Sequence, residues 1–244
     1  MDITLDSIRD IGLYQSKHGY RFSVDSLLLY DFVNLKKTTR IADLCSGSGV
    51  VGILLAKKYP DATIALFEVQ DNLVSLAERN VILNHLQHRV KVIQCDLRTL
   101  PVPSSESRFY DLAVSNPPFR KVKSGRINIE EEKAVARHEI KIKLHELIEA
   151  ATVLLRAKGR LCMIYHPDRL AELMHELRKR DIEPKRLRFV HSHRSSGAKM
   201  VLLEAVKNGR SGLKVENPFY LYNENGSYTD EMNAIYENNE KISS

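Results

Sequence analysis

Asn116-Pro117-Pro118-Phe119 is a stretch whose residue types can do chemistry as a unit. An exocyclic amine on a heteroaromatic ring, or an amide nitrogen, is a poor nucleophile because its lone pair is delocalised. Acceptors aimed at its two hydrogens favour the rehybridised nitrogen, which can attack a methyl group. The Asn116 side-chain carbonyl supplies one acceptor. The Pro117 backbone carbonyl, fixed by proline's restricted torsions, supplies the other. Phe119 adds a flat face for stacking a base, a contact worth about 1–3 kcal/mol. No strong general base is needed if the proton leaves after the methyl group has moved. Catalysis of this kind is positioning and fixed dipoles.

A second constellation lies upstream. Asp43-Leu-Cys-Ser-Gly47-Ser-Gly49-Val-Val-Gly52 stands between a predicted strand and a predicted helix. Glycines there permit positive φ and close backbone approach to a ligand, and the helix start offers unsatisfied N–H groups. The letters match G-x-G-x-x-G, which by itself also suits a dinucleotide enzyme. Glu68 ends the next predicted strand, where a carboxylate can accept both hydroxyls of a ribose. Asp96 follows the third, within reach of a purine's exocyclic amine. Cys45 reads as a small packing residue.

These groups need a scaffold that brings strand ends together. Arg40–Leu44, Thr63–Glu68, Val90–Gln94, Asp111–Ser115 and Arg160–Tyr165 read as buried strands. Helical patterns lie between them at Val50–Lys58, Asn72–Leu83, His138–Leu155 and Pro167–Arg180. Such alternation implies an α/β fold, a largely parallel sheet with helices on both faces. Ligands then bind beyond the carboxyl ends of the strands. Arg186–Val190 and Met200–Val206 read as an antiparallel pair closing one edge. The segment before the first strand reads as a turn at His18-Gly19, a short strand, and a helix capped by Asp25 or Ser23. From Asn208 onward a strand or loop and a short helix are expected.

The 244 residues are 43 % hydrophobic and 28 % charged, which excludes a fully disordered chain. No apolar run reaches the length of a membrane-spanning helix. MDITLDSIRD lacks the basic and apolar regions of a signal peptide. Three widely spaced cysteines argue against a disulfide framework, so a cytoplasmic location is expected. His191 and His193 have no third ligand at suitable spacing, and no metal is expected. Net charge is +6, unevenly spread. Arg120–Arg126 holds four Lys/Arg and no acid, and Arg178–Arg194 carries a net +5, whereas Lys214–Glu240 has one Lys against six acids. Two basic clusters point to a polyanionic partner.

Taken in order, Asp43…Gly47-x-Gly49, Glu68, Asp96 and Asn116-Pro117-Pro118-Phe119 resemble the class I S-adenosylmethionine-dependent methyltransferases of the amino-group type. Over nearly the whole chain the sequence is similar to the bacterial valine-tRNA adenine-N6 methyltransferase family. QSKHGYRFSVDSLLL, Ala136-Arg137-His138-Glu139 and EAVKNGRSGLKVENPFYLYNENGSYTDE carry that narrower likeness. The resemblance implies a Rossmann-like, seven-stranded, mostly parallel sheet with an antiparallel edge hairpin. It implies S-adenosyl-L-methionine as cofactor and, as acceptor, an adenine beside the anticodon of a tRNA. Asp43, Gly47 and Gly49 would shape the cofactor loop. Glu68 would hold the ribose, and Asp96 with Leu97 the adenine. Gln15, Tyr20, Arg21 and Phe22 would help close the pocket. Asn116, Pro117 and Phe119 would hold the target base, with Phe119 standing where many relatives carry tyrosine.

A single domain is expected. Residues 1–39 would cover the cofactor, 40–206 form its binding core, and 207–244 extend it. A base inside a structured loop must be turned out to be reached. Arg120, Lys121, Lys123 and Arg126 would rim the pocket and meet the surrounding phosphates. Arg186, Arg188 and Arg194 would offer tRNA a second basic surface. Ribosomal RNA stays open as an acceptor. Glutamine-amide methylation of a protein uses the same proline motif, but only about 40 residues precede the first core strand here, too few for the helical substrate domain usual in those enzymes. A nicotinamide dehydrogenase would leave Asp43, Asp96 and the proline motif unexplained. A non-catalytic RNA-binding protein would have no use for an intact Asn116.

Overall fold

Alternation of apolar and polar residues sets the first element. In the computed structural model, which describes residues 3–16, 24–100, 109–117 and 142–236, the chain opens as an antiparallel hairpin. Its strands are β1 (Ile3–Ile8) and β2 (Ile11–Ser16), and they form a sheet of their own. Arg9 turns the chain at φ 51°, and β2 buries Ile11 and Leu13. This hairpin was not anticipated. The expected turn at His18-Gly19 lies outside the described residues. The expected helix is present as α1 (Val24–Phe32).

The alternation that follows matches the sequence reading closely. β3 (Arg40–Leu44), α2 (Val50–Lys58), β4 (Thr63–Glu68), α3 (Asp71–Leu83), β5 (Val90–Gln94) and β6 (Tyr110–Ser115) come in order. Next are α4 (Leu144–Leu154), β7 (Leu155–Tyr165), α5 (Leu170–Lys179), β8 (Ile182–His191) and β9 (Ala198–Lys207). Pro167 opens a 3-10 turn before α5, as proline's fixed φ favours. The chain ends with the two-residue strands β10 (Lys214–Val215) and β11 (Phe219–Tyr220) and with α6 (Asp230–Tyr236).

The main sheet runs β10-β8-β9-β7-β6-β3-β4-β5, with β11 also pairing β8. Seven of its strands are the expected ones. β3 to β7 are mutually parallel, and β9 inserts antiparallel between β7 and β8. The β8–β9 pair does not close the edge, because β10 and β11 add to β8 in parallel.

Successive strand residues feed opposite apolar layers. Ile41, Leu112, Val114, Cys162 and Ile164 join α1, α2 and α3 on one face. Ala42, Ala113, Leu161 and Met163 join α4 and α5 on the other. Each fully buried leucine or isoleucine contributes about 1.5–3 kcal/mol. Among the described residues no helix is long and apolar enough to cross a membrane.

Candidate active site

β3 pairs with β4 on one side and β6 on the other, so the winding direction reverses between β3 and β6. In an open α/β sheet that switch point leaves a crevice at the carboxyl ends of the strands. The glycine loop leaves β3 there, and Asn116 leaves β6 there. Leu44 and Ser115 are register partners, and the buried Ser115 Oγ donates to Leu44 O at 2.8 Å. This bond ties the two strand tips together just before both groups.

The glycine loop is held from several sides. Ser46 N donates to Phe67 O at 3.0 Å, and Gly49 N to Ser46 O at 2.9 Å. Gly49 starts α2 in the left-handed region, at φ 85°. Gly52 has a different reason: a Cβ there would lie 2.1 Å from Leu66 Cδ2, so only glycine lets α2 press onto β4. Asp43 is buried and accepts from Gly52 N at 2.8 Å. Burial pushes its carboxyl up to about 7, and the nearby Glu68 adds to the rise. Burial likewise pushes the Cys45 thiol far up, which removes the reactive thiolate at neutral pH. Ser46 Oγ is buried without a hydrogen-bond partner among the described residues. A buried polar atom left open in a glycine loop fits a polar small-molecule ligand lying over that loop.

The acids at the strand ends already have partners. Glu68 accepts from Gly47 N at 2.9 Å and from Val69 N and Gln70 N at 3.0 Å each. It therefore fixes the approach of the loop to β4, and its Oε2, with a single donor, keeps capacity for a ligand hydroxyl. Asp96 caps the 3-10 turn at Leu97 and accepts from Arg98 N at 3.0 Å and Arg98 Nη2 at 2.6 Å. The Arg98 guanidinium holds its carboxyl below the usual range. Leu97 is buried against the α4 face.

Asn116 is half-buried, and its Nδ2 donates to Ser26 Oγ on α1 at 3.3 Å. That bond turns the amide so that Oδ1 is the open acceptor, and among the described residues no donor meets it. Pro117 is buried. Ser26 was missed in the sequence. The available signal was one hydroxyl in the apolar run Leu27-Leu28-Leu29 of a helix placed before the sheet. Phe119, Tyr20, Arg21 and Phe22 lie outside the described residues, as do Arg120, Lys121, Lys123, Arg126 and Ala136–Glu139. Gln15 is buried on β2 and donates to Asp6 Oδ2 at 2.5 Å.

Two further residues missed in the sequence dock the N-terminal hairpin. Asn80 lies on α3, and Asn84, one turn later, caps its C-terminus. Asn80 Oδ1 accepts from Tyr14 N at 2.6 Å, and its Nδ2 donates to Tyr14 O at 3.1 Å. Asn84 repeats the pattern with Gly12 N at 3.1 Å and Gly12 O at 2.8 Å. Asn80 Nδ2 also donates to Ser48 O at 2.9 Å, wiring the hairpin to the glycine loop.

The second basic cluster divides. Arg186 is committed to the interior: it stacks on Phe32, donates to Phe32 O, and pairs with Glu204 at 3.1 Å and Glu216 at 3.4 Å. Arg188 pairs with Glu231 at 2.7 Å and donates to Asn217 O at 2.9 Å. Both differ from the basic surface expected of them: Glu204 on β9 and Glu216 take up the charge of Arg186, and Glu231 of the folded-back C-terminal segment takes up that of Arg188. Arg194 is exposed.

Residues 20–179 match the methyltransferase small domain family. A tRNA1(Val) (adenine(37)-N6)-methyltransferase of Flavobacteriaceae bacterium (strain 3519-10) is 27 % identical over 150 residues, which are 62 % of this chain and 61 % of that one. The aligned part thus spans about three-fifths of that relative's length. The Shewanella woodyi protein of the same name is 24 % identical over 223 residues, 89 % of this chain and 90 % of that one. Among solved structures, a predicted O-methyltransferase from Agrobacterium tumefaciens superposes with a TM-score of 0.69 at 20 % identity, covering 88 % of this chain and 99 % of that one. It shares the fold.

Proposed function

The chain belongs to the methyltransferase small domain family, and from that premise we propose that it moves a methyl group from S-adenosyl-L-methionine to the exocyclic N6 amine of an adenine in tRNA, next to the anticodon of a valine tRNA. One observation carries the reading. Asn116 and the glycine loop stand on adjacent strand tips at the switch point, joined by the Ser115–Leu44 bond at 2.8 Å.

When bound, the cofactor supplies an electrophilic methyl group. The chain's own residues do the rest. Gly47, Gly49 and the open Ser46 hydroxyl would hold the cofactor at the loop that Asp43 supports. Glu68 would accept from its ribose, and Asp96 with Leu97 would hold its adenine. Asn116 Oδ1 and the Pro117 carbonyl accept the two hydrogens of the target amine and bias its nitrogen toward attack. Ser26 keeps the Asn116 amide turned the right way. Phe119 stacks the target base, Tyr20, Arg21 and Phe22 close the pocket with Gln15, and Arg120, Lys121, Lys123 and Arg126 meet phosphates at its rim. The relatives' names supply the tRNA acceptor, and such an acceptor places the reaction in the cytoplasm. We read residues 1–244 as one methyltransferase domain.

The test is incubation with methyl-labelled S-adenosyl-L-methionine and, separately, unmodified total tRNA, ribosomal RNA and cell-extract protein. Digestion of the tRNA should release labelled N6-methyladenosine. Label in ribosomal RNA or in glutamine side chains instead would overturn the acceptor and keep the methyl transfer.

A further inference from the structure

A cleft of about 790 Å³ lies outside the site just described, between the β8–β9 turn and the C-terminal segment. His193, Arg194, Tyr220, Tyr222, Glu224 and Asn225 line it. β7 runs parallel to β6, and β8 and β9 are joined antiparallel, so β8 ends at the same carboxyl edge as β6. β11 is parallel to β8, with Tyr220 opposite His191. The cleft therefore opens on the edge that bears Asn116. Three strand spacings separate β6 from β8, about 14 Å.

Its lining is built from ring faces. The rings of His193 and Tyr222 lie 5.4 Å apart at 31°. Tyr222 stacks in turn on Tyr228 at 5.2 Å and 14°, which holds it from behind. The Arg194 guanidinium sits 5.7 Å from the Tyr220 ring centre. The turn from His191 to Gly197 carries Arg194 and two histidines and no acid. Glu224 and Asn225 are exposed. Asn225 Oδ1 is held by Ser227 N at 3.0 Å, while its Nδ2 and the Glu224 carboxylate have no partner among the described residues. One donor and one acceptor thus stand beside aromatic faces and a guanidinium. A nucleobase attached to a phosphate matches all four: face to ring, edge to amide and carboxylate, phosphate to arginine.

We infer that this cleft takes a base of the single-stranded RNA loop flanking the target adenine, with Arg194 on its phosphate. The inference rests on the RNA reading above. It makes the β8–β9 turn and the C-terminal segment one wall of the RNA site, and it gives this edge two holds on the loop, Asn116 and the cleft.

The test uses the full chain and an unmodified anticodon stem–loop RNA, with His193→Ala and Arg194→Ala. The turn closes through the His193 backbone and the Ser196 hydroxyl, at 3.0 Å and 2.8 Å, so His193→Ala leaves it standing. His193→Ala should weaken RNA binding about tenfold, with cofactor affinity unchanged. Arg194→Ala should also weaken it and lower the salt slope by about 0.7, one phosphate of a single strand. Removing the flanking base from the RNA should weaken the parent protein and add little to the loss in His193→Ala. If both variants bind and methylate RNA as the parent does, the cleft assignment is overturned and the function stands. If RNA binding depends on His193 and Arg194 yet no methyl group reaches RNA, the cleft stands and the function falls. Label on protein with no RNA bound overturns both.

Discussion

Asp43 sits buried under the glycine loop with a carboxyl pushed up to about 7 by burial. In the unfolded chain it ionises near its ordinary value of 3.8. Between those values the folded protein holds a proton that the unfolded chain releases, so this residue's contribution to stability falls as pH rises from about 4 to about 7. Asp43→Asn carries no such charge. Urea unfolding at pH 5 and pH 8 should show a loss on the order of 3 kcal/mol in the parent protein that the variant lacks. Equal pH dependence in both would place the proton elsewhere. Ser26 has a different signature. Ser26→Ala frees the Asn116 amide to rotate, so kcat should fall about tenfold while cofactor affinity is unchanged. Ser26→Thr, which keeps the hydroxyl, should recover part of the loss. The sequence made the acids and the asparagine visible because they follow the carboxyl ends of predicted parallel strands, where such a sheet binds ligands. It did not show that Glu68 binds three backbone amides, or that Asp96 caps its own turn, because those partners are main-chain groups brought in by folding.

At the scale of elements, the contact between α2 and β4 is set by one missing side chain. Gly52→Ala places a methyl group 2.1 Å from Leu66 Cδ2, and such overpacking costs about 1–3 kcal/mol. The shift should appear as a lower urea midpoint with an unchanged slope, together with weaker cofactor binding because the loop moves with the helix. Asn80→Ala leaves the N–H and C=O of Tyr14 without their present partner, so the stretch Ile11–Ser16 should lose hydrogen-exchange protection well before the main sheet does. Protection equal to that of β3 would show that the asparagines are not the latch. The buried strands were legible because short β-branched runs between helical patterns have few other readings. The hairpin was harder to see: β1 and β2 belong to a separate sheet, and α3 holds them through side chains. β10 and β11 are two residues each, too short to carry a periodic signal.

Across the whole molecule, one edge of one sheet gathers the working parts. The glycine loop, Asn116, the β8–β9 turn and the stretch that follows β11 all lie at that edge. The acidic C-terminal segment folds back along β8, where its Glu231 pairs with Arg188 and its Glu216 joins Glu204 of β9 in pairing with Arg186. This removes part of the basic surface that local charge alone had suggested. Charge runs in a sequence show where cations are but not which of them an ion pair consumes, and Arg194 is the exposed member of the three.

We propose that Asn116 activates the acceptor amine and has no part in holding the methyl donor. The direct measurement pairs single-turnover methyl transfer to tRNA with calorimetric titration of S-adenosyl-L-methionine, for the parent protein and Asn116→Ala. Transfer should fall by about 10²–10³-fold in the variant, the loss typical of removing one catalytic dipole, while cofactor affinity stays the same. Transfer at the parent rate would show that the Asn116 amide does not activate the amine.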